Sequence, residues 1–342
     1  MNILRPFVAL GAVLLVVGVA YVGQANESSG AAMARAAEKF LASLSAEQRA
    51  RATFAFDAEE RFNWQFMRDR AEKSRYKGLP VADMKAEQKK AAIALLKAGT
   101  SPAGNHLAAT IMSLESLVPE GVKKGGPIRN PEWYFFAVFG KPSATGDWGW
   151  RLQGHHLSLN FTLQGGKVIA TTPTFFGAEP AEVRSGPRKG VRPFADADDL
   201  GKKLFRSLDD GQRKVALAEQ SFPKYRGGDK KPAAGEPLGL PAAQMHEKQR
   251  QLLLDVLHAY TDRFPADVAK AEWSAVTAAG IGKLHFAYTS SVEPGQPHAY
   301  RIQGPTLLIE FLNEQGDSDK NPANHVHSVW RNPKGDFGLT AH

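Results

Sequence analysis

The chain contains no cysteine. It therefore has no disulfide framework, no thiolate metal ligand, no cysteine nucleophile and no lipid-modified cysteine, so its stability has to come from a packed core. Short motifs with a fixed mechanism are also missing. There is no H-E-x-x-H, no nucleophile elbow, no phosphate-binding glycine loop and no dinucleotide fingerprint. Lysine and arginine outnumber aspartate and glutamate by 43 to 35, a formal net charge of +8. The basic residues are scattered, with no five-residue block and no alternation with stacking aromatics. That scatter argues against nucleic acid as a partner, and the net positive charge is what would favour an anionic small molecule or polymer.

What is present is a globular composition: 342 residues, 43% hydrophobic and 23% charged, enough to bury one large core or two smaller ones. One long apolar run, from Pro6 to about Gly23, follows Arg5 and gives way to the small, polar "GQANESSG". Gly23 and Ala25 fit a small-x-small cleavage site before Asn26, so residues 1–25 read as a signal peptide or, being just long enough for a tilted span, as an uncleaved N-terminal anchor. Either reading puts the body of the chain outside the cytoplasmic membrane, exported to a periplasm or secreted. Membrane contact is expected only through this segment.

The rest of the chain repeats itself. "WRLQGHHLSLNF" (Trp150 to Phe161) and "YRIQGPTLLIEF" (Tyr300 to Phe311) share five identities in twelve positions at an offset of 150 residues. "FFAVFG" at Phe135 and "HFAYTS" at His285 keep the same offset. Earlier in each half, "LSAEQR" at Leu44 answers "LDDGQR" at Leu208, and "GLPVADMKAEQK" at Gly78 answers "GLPAAQMHEKQR" at Gly239. Later, "VIATTPTFFG" (Val168 to Gly177) echoes "SVWRNPKGDFG" (Ser328 to Gly338). Ordered matches of this kind predict an internally duplicated α+β protein. Its halves, 26–195 and 196–342, would each run helix, helix, β-meander and pack about a pseudo-two-fold axis as one compact unit. Ser45 and Gln48 have the spacing of a capping box at one helix start.

In the repeated segment the apolar positions change parity at a glycine: Trp150 and Leu152 against Leu157, Leu159 and Phe161, then Tyr300 and Ile302 against Leu307, Ile309 and Phe311. A one-residue bulge at Gly154 and Gly304 would bring each set onto one core face. The opposite face would carry Arg151, Gln153, His156, Ser158 and Asn160 in the first half, and Arg301, Gln303, Thr306 and Glu310 in the second. His155 would turn inward as a hydrogen-bonded core histidine. In "NHVHSVWR", alternation puts His325, His327 and Arg331 on one face.

H-x-H on a strand projects two imidazoles the same way. With Glu310 across the hairpin they would form a three-ligand set for a divalent transition metal such as zinc, iron or copper. The first half has Asn160 and Lys167 at the corresponding places and offers His156 instead.

Together "WGWRLQGHHLSLNFT", "TPTFFGAEPAEV", "YRIQGPTLLIEF" and "NHVHSVWRNPKGDFG" resemble the bacterial and fungal domain-of-unknown-function family 3500 (DUF3500), over roughly Leu41 to Gly338. The resemblance carries no established activity, cofactor or partner. Two functions follow from the residues. One is an exported metal-dependent enzyme, hydrolytic or oxidative, with His325, His327 and Glu310 as ligands, His156 as fourth ligand or general base, and Arg151 and Arg301 holding an anionic substrate. The other is a non-catalytic exported module that binds a ligand or envelope component through its basic face. Convergence of His156, His325 and His327 on one point favours the first; separate surfaces favour the second.

Overall fold

Two serine- and aspartate-led helix starts organise the helical layer. Ser45 opens a short helix by accepting from the Gln48 backbone N–H (3.2 Å) while Gln48 Oε1 accepts from Ser45 N (3.1 Å), the reciprocal box its spacing predicts. Asp209 and Gln212 do the same in the second half. Each glutamine then meets another: Gln88 Nε2 donates to Gln48 Oε1 (2.7 Å) and to the Ser43 carbonyl (2.9 Å), and Gln249 Nε2 donates to Gln212 Oε1 (2.8 Å) and to the Ser207 carbonyl (2.8 Å).

The computed structural model describes residues 27–69, 74–117, 129–222, 227–317 and 320–339; the export segment read at 1–25 lies outside them. The first half contains helices α1 (Ser29–Ser43), α2 (Ala46–Ala52), α3 (Ala86–Gly99) and α4 (Pro102–Leu114). Its strands are β1 (Thr53–Phe54), β2 (Leu79–Pro80), β3 (Tyr134–Gly140), β4 (Trp148–Gly154), β5 (Leu157–Gln164), β6 (Lys167–Ala170) and β7 (Thr174–Ala178). The second contains α5 (Ala195–Ser207), α6 (Asp210–Ala216), α7 (Glu247–Thr261) and α8 (Ala266–Ala279). Its strands are β8 (Leu240–Pro241), β9 (His285–Ser290), β10 (His298–Gln303), β11 (Leu308–Gln315) and β12 (His325–Arg331). Each half thus has four α-helices among the described residues rather than two. No helix among them is long and apolar enough to cross a membrane.

All twelve strands join one mixed sheet in the order β1-β3-β4-β5-β7-β12-β11-β10-β9-β8, with β2 beside β3 and β6 beside β5. β1 runs parallel to β3 and the other strand pairings are antiparallel. The two meanders meet at β7 and β12, paired from Ala178↔Val326 to Thr174↔Trp330. In the second half β12 occupies the flank of β11 away from β10, whereas β6 and β7 share the corresponding flank of β5.

The expected bulges are hairpins. β4 and β5 pair through the two-residue turn His155-His156, with Gly154 opposite Leu157, Leu152 opposite Leu159 and Trp150 opposite Phe161. A two-residue turn shifts the parity of the apolar positions by one, which a bulge would also do, so the faces are as read and their cause is different. Pro305 and Thr306 make the second turn, closed by Gly304 N–H to the Leu307 carbonyl (2.9 Å). The apolar face meets the helices in a single core.

The polar face is buried too. Segment 58–66 covers it in the first half and segment 229–235 in the second: Gln153 Oε1 accepts from Gln65 N (3.0 Å), and Gln303 Nε2 donates to the Gly235 carbonyl (2.9 Å). Phe62, Trp64 and Phe66 pack there with Phe175, Val329 and Phe337 as a second, smaller core.

Helix α3 lies close on the sheet at Gly99, where an added Cβ would stand 2.3 Å from Cζ2 of Trp150. Neither the α3 backbone nor the fully buried indole has room to yield. Gly99→Ala should therefore lower the urea midpoint at unchanged m-value, by about 1–3 kcal/mol of overpacking.

Candidate functional site

His156 reaches its position because a tight turn forces it there. The His155-His156 turn holds His156 at φ 62°, its N–H donates to the Phe66 carbonyl (2.9 Å), and its carbonyl accepts from Gly177 N (2.8 Å). Gly177 also makes room for the ring, since a Cβ there would lie 2.9 Å from His156 Cδ2. Gly177 is directly opposite His327 in the β7–β12 ladder. The pairing that joins the two meanders thus carries the H-x-H strand to the His156 turn.

The three imidazoles converge. His156 Nε2 stands 2.8 Å from His325 Nε2 and 3.3 Å from His327 Nε2, and the three ligand nitrogens lie within 4.8 Å of one another. Nitrogens on a tetrahedral ion at about 2.1 Å stand roughly 3.4 Å apart, so the spacing suits a metal after a small opening. Phe66 and Phe175 pack edge-on against His327. A cavity of about 1010 Å³ opens over the group, lined among others by Phe66, Met67, Arg68, Arg75, Glu179 and Leu312.

Glu115, His155 and His156 form a second close group of potential ligands, but its chemistry is different. His155 Nδ1 bonds Glu115 Oε1 at 2.7 Å, and Arg129 Nη1 lies 3.3 Å from both atoms. The His155 and His156 rings are stacked, 3.8 Å between centroids and 28° between planes. A cation already occupies this group, and stacked rings cannot both aim in-plane lone pairs at one ion. His155 is the buried, hydrogen-bonded histidine its inward position predicts. Arg129 continues to Glu179, which also accepts from Arg68.

Three predicted site residues lie elsewhere. Glu310 stands opposite Val329 on β11 and is not in the histidine group; its Oε1 accepts from Arg301 Nε (2.8 Å) and Nη2, so the neighbouring strand β10 takes up the carboxylate. Arg301 is spent on that pair and on the Ala234 carbonyl. Arg151, 0% exposed, donates to the Glu60 carbonyl (2.7 Å) and carboxylate (2.5 Å) over the Phe139 ring. Neither arginine lines the cavity. Arg331, predicted to share the face of the two histidines, is likewise held by Asp336 and the Asp229 carbonyl. The cause is common to all: segments 58–66 and 229–235 bury the polar face, and a buried guanidinium must be paired.

Sequence reasoning missed Glu115, Arg129, Glu179, Arg68 and Arg75. Glu115 is the C-cap of α4, and the others are loop residues without local spacing to mark them.

Burial disfavours the charged form of His156 and His325. His156 is held well below the ordinary imidazole range by burial and then by the neighbouring His155, His327 and His325. His325 is brought down to about 4, burial outweighing the attraction of Glu179. At Glu179 burial would raise the carboxyl, but the Arg68 hydrogen bond and the charges of His325 and Arg129 bring it to about 2. The sign follows. As pH falls from the ordinary 6.5 of His325 to about 4, the unfolded chain binds this proton first and stability is lost. Glu179 adds its loss below its ordinary 4.5, down to about 2. Urea midpoints of metal-free protein measured across this range should fall in both windows, and His325→Gln should make the upper fall shallower while the share of His156 remains.

No curated protein and no solved structure matches the chain. The family described as "Protein of unknown function (DUF3500)" matches residues 26–339, nearly the whole chain, and the chain belongs to it.

Proposed function

We propose that this protein is an exported metal-dependent enzyme, a hydrolase or an oxidoreductase, whose ion is held by His156, His325 and His327. One observation carries the reading. His156 Nε2 faces two other imidazole nitrogens at 2.8 and 3.3 Å, and it can share a proton with only one of them. A cation placed among the three rings would instead accept a lone pair from each of them. Neutral nitrogen ligands and an adjoining cavity suit zinc, copper or iron with a position left for substrate. The convergence of these rings also favours an enzyme over a non-catalytic binding module. Export rests on the composition of residues 1–25.

The reading includes an internal duplication, with copies over 26–195 and 196–342 related by a pseudo-two-fold axis between β7 and β12. The matched Gln48–Gln88 and Gln212–Gln249 pairs support it, as does a strand order that runs outward through antiparallel pairs from β7 to β3 and from β12 to β8. The ligands then come from both copies, one from the first and two from the second.

Elemental analysis is the direct test. Wild-type protein should carry or take up a stoichiometric transition metal, and His325→Ala with His327→Ala should abolish it while the far-UV spectrum stays unchanged. Glu310→Gln should keep the metal but lose about 3–5 kcal/mol of stability, because it leaves Arg301 buried without its counter-charge. Wild-type protein that holds no metal and gains no thermal stability from added zinc, copper, iron or manganese would sink the reading.

A further inference from the structure

The charges around the three histidines define the kind of molecule that completes the site. Three neutral imidazoles donate lone pairs and no charge, so an ion held by them keeps its full double positive charge. Among the described residues, the charged side chains lining the cavity are Arg68, Arg75, Glu179 and Glu314, two of each sign. Behind them Arg129 and Glu115 again cancel.

Each of these carboxylates already has a partner of its own, and none belongs to the three-histidine group. Glu179 is shared by Arg68 and Arg129. Glu115 is shared by His155 and Arg129, and Glu314 accepts from Ser221. Leaving a double charge uncompensated beside a buried, apolar floor is costly.

Two further features narrow the class. Arg68 and Arg75 both line the cavity, and guanidiniums present forked donors matched to carboxylates and other planar oxyanions. Phe66, Met67 and Leu312 add apolar surface to the same cavity, and Met67 is 48% exposed. At about 1010 Å³ the space is far larger than an inorganic ion needs.

We infer that the ligand of this cavity is an organic carboxylate whose anionic end is held by the three-histidine centre together with Arg68 and Arg75, and whose apolar body rests on Phe66, Met67 and Leu312. This assignment rests on the metal reading above. It differs from the sequence-based expectation in which arginines serve: Arg68 and Arg75 take the part predicted for Arg151 and Arg301.

The test is calorimetric titration of full-chain protein loaded with cobalt(II), using benzoate, its neutral isostere benzamide, and inorganic phosphate. Benzoate should bind at least about tenfold more tightly than benzamide, and Arg75→Met should weaken benzoate by about the same factor at unchanged cobalt content, as expected for a lost charge-assisted hydrogen bond. Arg68→Met should show the same direction, and Arg75→Met is the cleaner variant because Arg68 also holds Glu179. Benzamide binding as tightly as benzoate, or an Arg75→Met variant that binds benzoate like wild type, overturns the inference. Phosphate binding with benzoate excluded overturns the organic class and makes this an inorganic oxyanion site. Failure to take up cobalt, zinc, copper or iron overturns the metal reading itself, an outcome separate from any result of the anion titrations.

Discussion

The antiparallel pairing of β7 with β12 is the contact on which the rest of the architecture turns. Without it the chain is two meanders, each with its own helices; with it they become one sheet over one core. The same ladder sets Gly177 against His327, and Gly177 in turn receives the His156 ring and bonds its carbonyl. Backbone register at the centre of the sheet therefore fixes the distances among side chains from distant parts of the chain. Beneath it Tyr260 bonds both Tyr300 and Ser328 at 2.9 Å, tying α7, β10 and β12 together in the core.

Burying both faces of a sheet has an electrostatic cost, and the structure meets it with paired charges. Arg151 with Glu60, Arg301 with Glu310 and Arg331 with Asp336 each set a guanidinium against a carboxylate, with further bonds to backbone carbonyls. Such pairs contribute little net stability, yet each is expensive to break once buried. They specify which loop lies over which strand: Glu60 belongs to the segment covering β4, and Ala234 and Asp229 to the segment covering β10 and β12. In a chain without cysteine this is a non-covalent means of locking loops onto a sheet.

Much of this was legible in the residues. The parity change at Gly154 and Gly304 located the core face correctly, because period-two alternation survives whatever device shifts it. The device itself was hidden: a bulge and a two-residue hairpin shift the pattern alike, and nothing in "QGHHLS" distinguishes them without the partner strand. His325 and His327 were legible because H-x-H on a strand has one geometry. Glu310 was misassigned because its face was right while its direction along the sheet depended on Arg301, a neighbour on the other side. Arg68, Glu115, Arg129 and Glu179 were invisible for a different reason: they are brought together by loops and a helix end, where no periodicity links sequence distance to spatial distance.

His156 and His325 are separated by 169 residues. An ion bonded to both would close a loop spanning almost half the polypeptide, acting on the unfolded ensemble much as a long-range crosslink does. Neither meander contains the complete trio, so a partly synthesised chain, or one whose central strands had paired out of register, would lack the geometry to capture metal tightly. Uptake would then occur only after the chain was finished and correctly joined, and the ion would hold closed the seam that allowed it to bind.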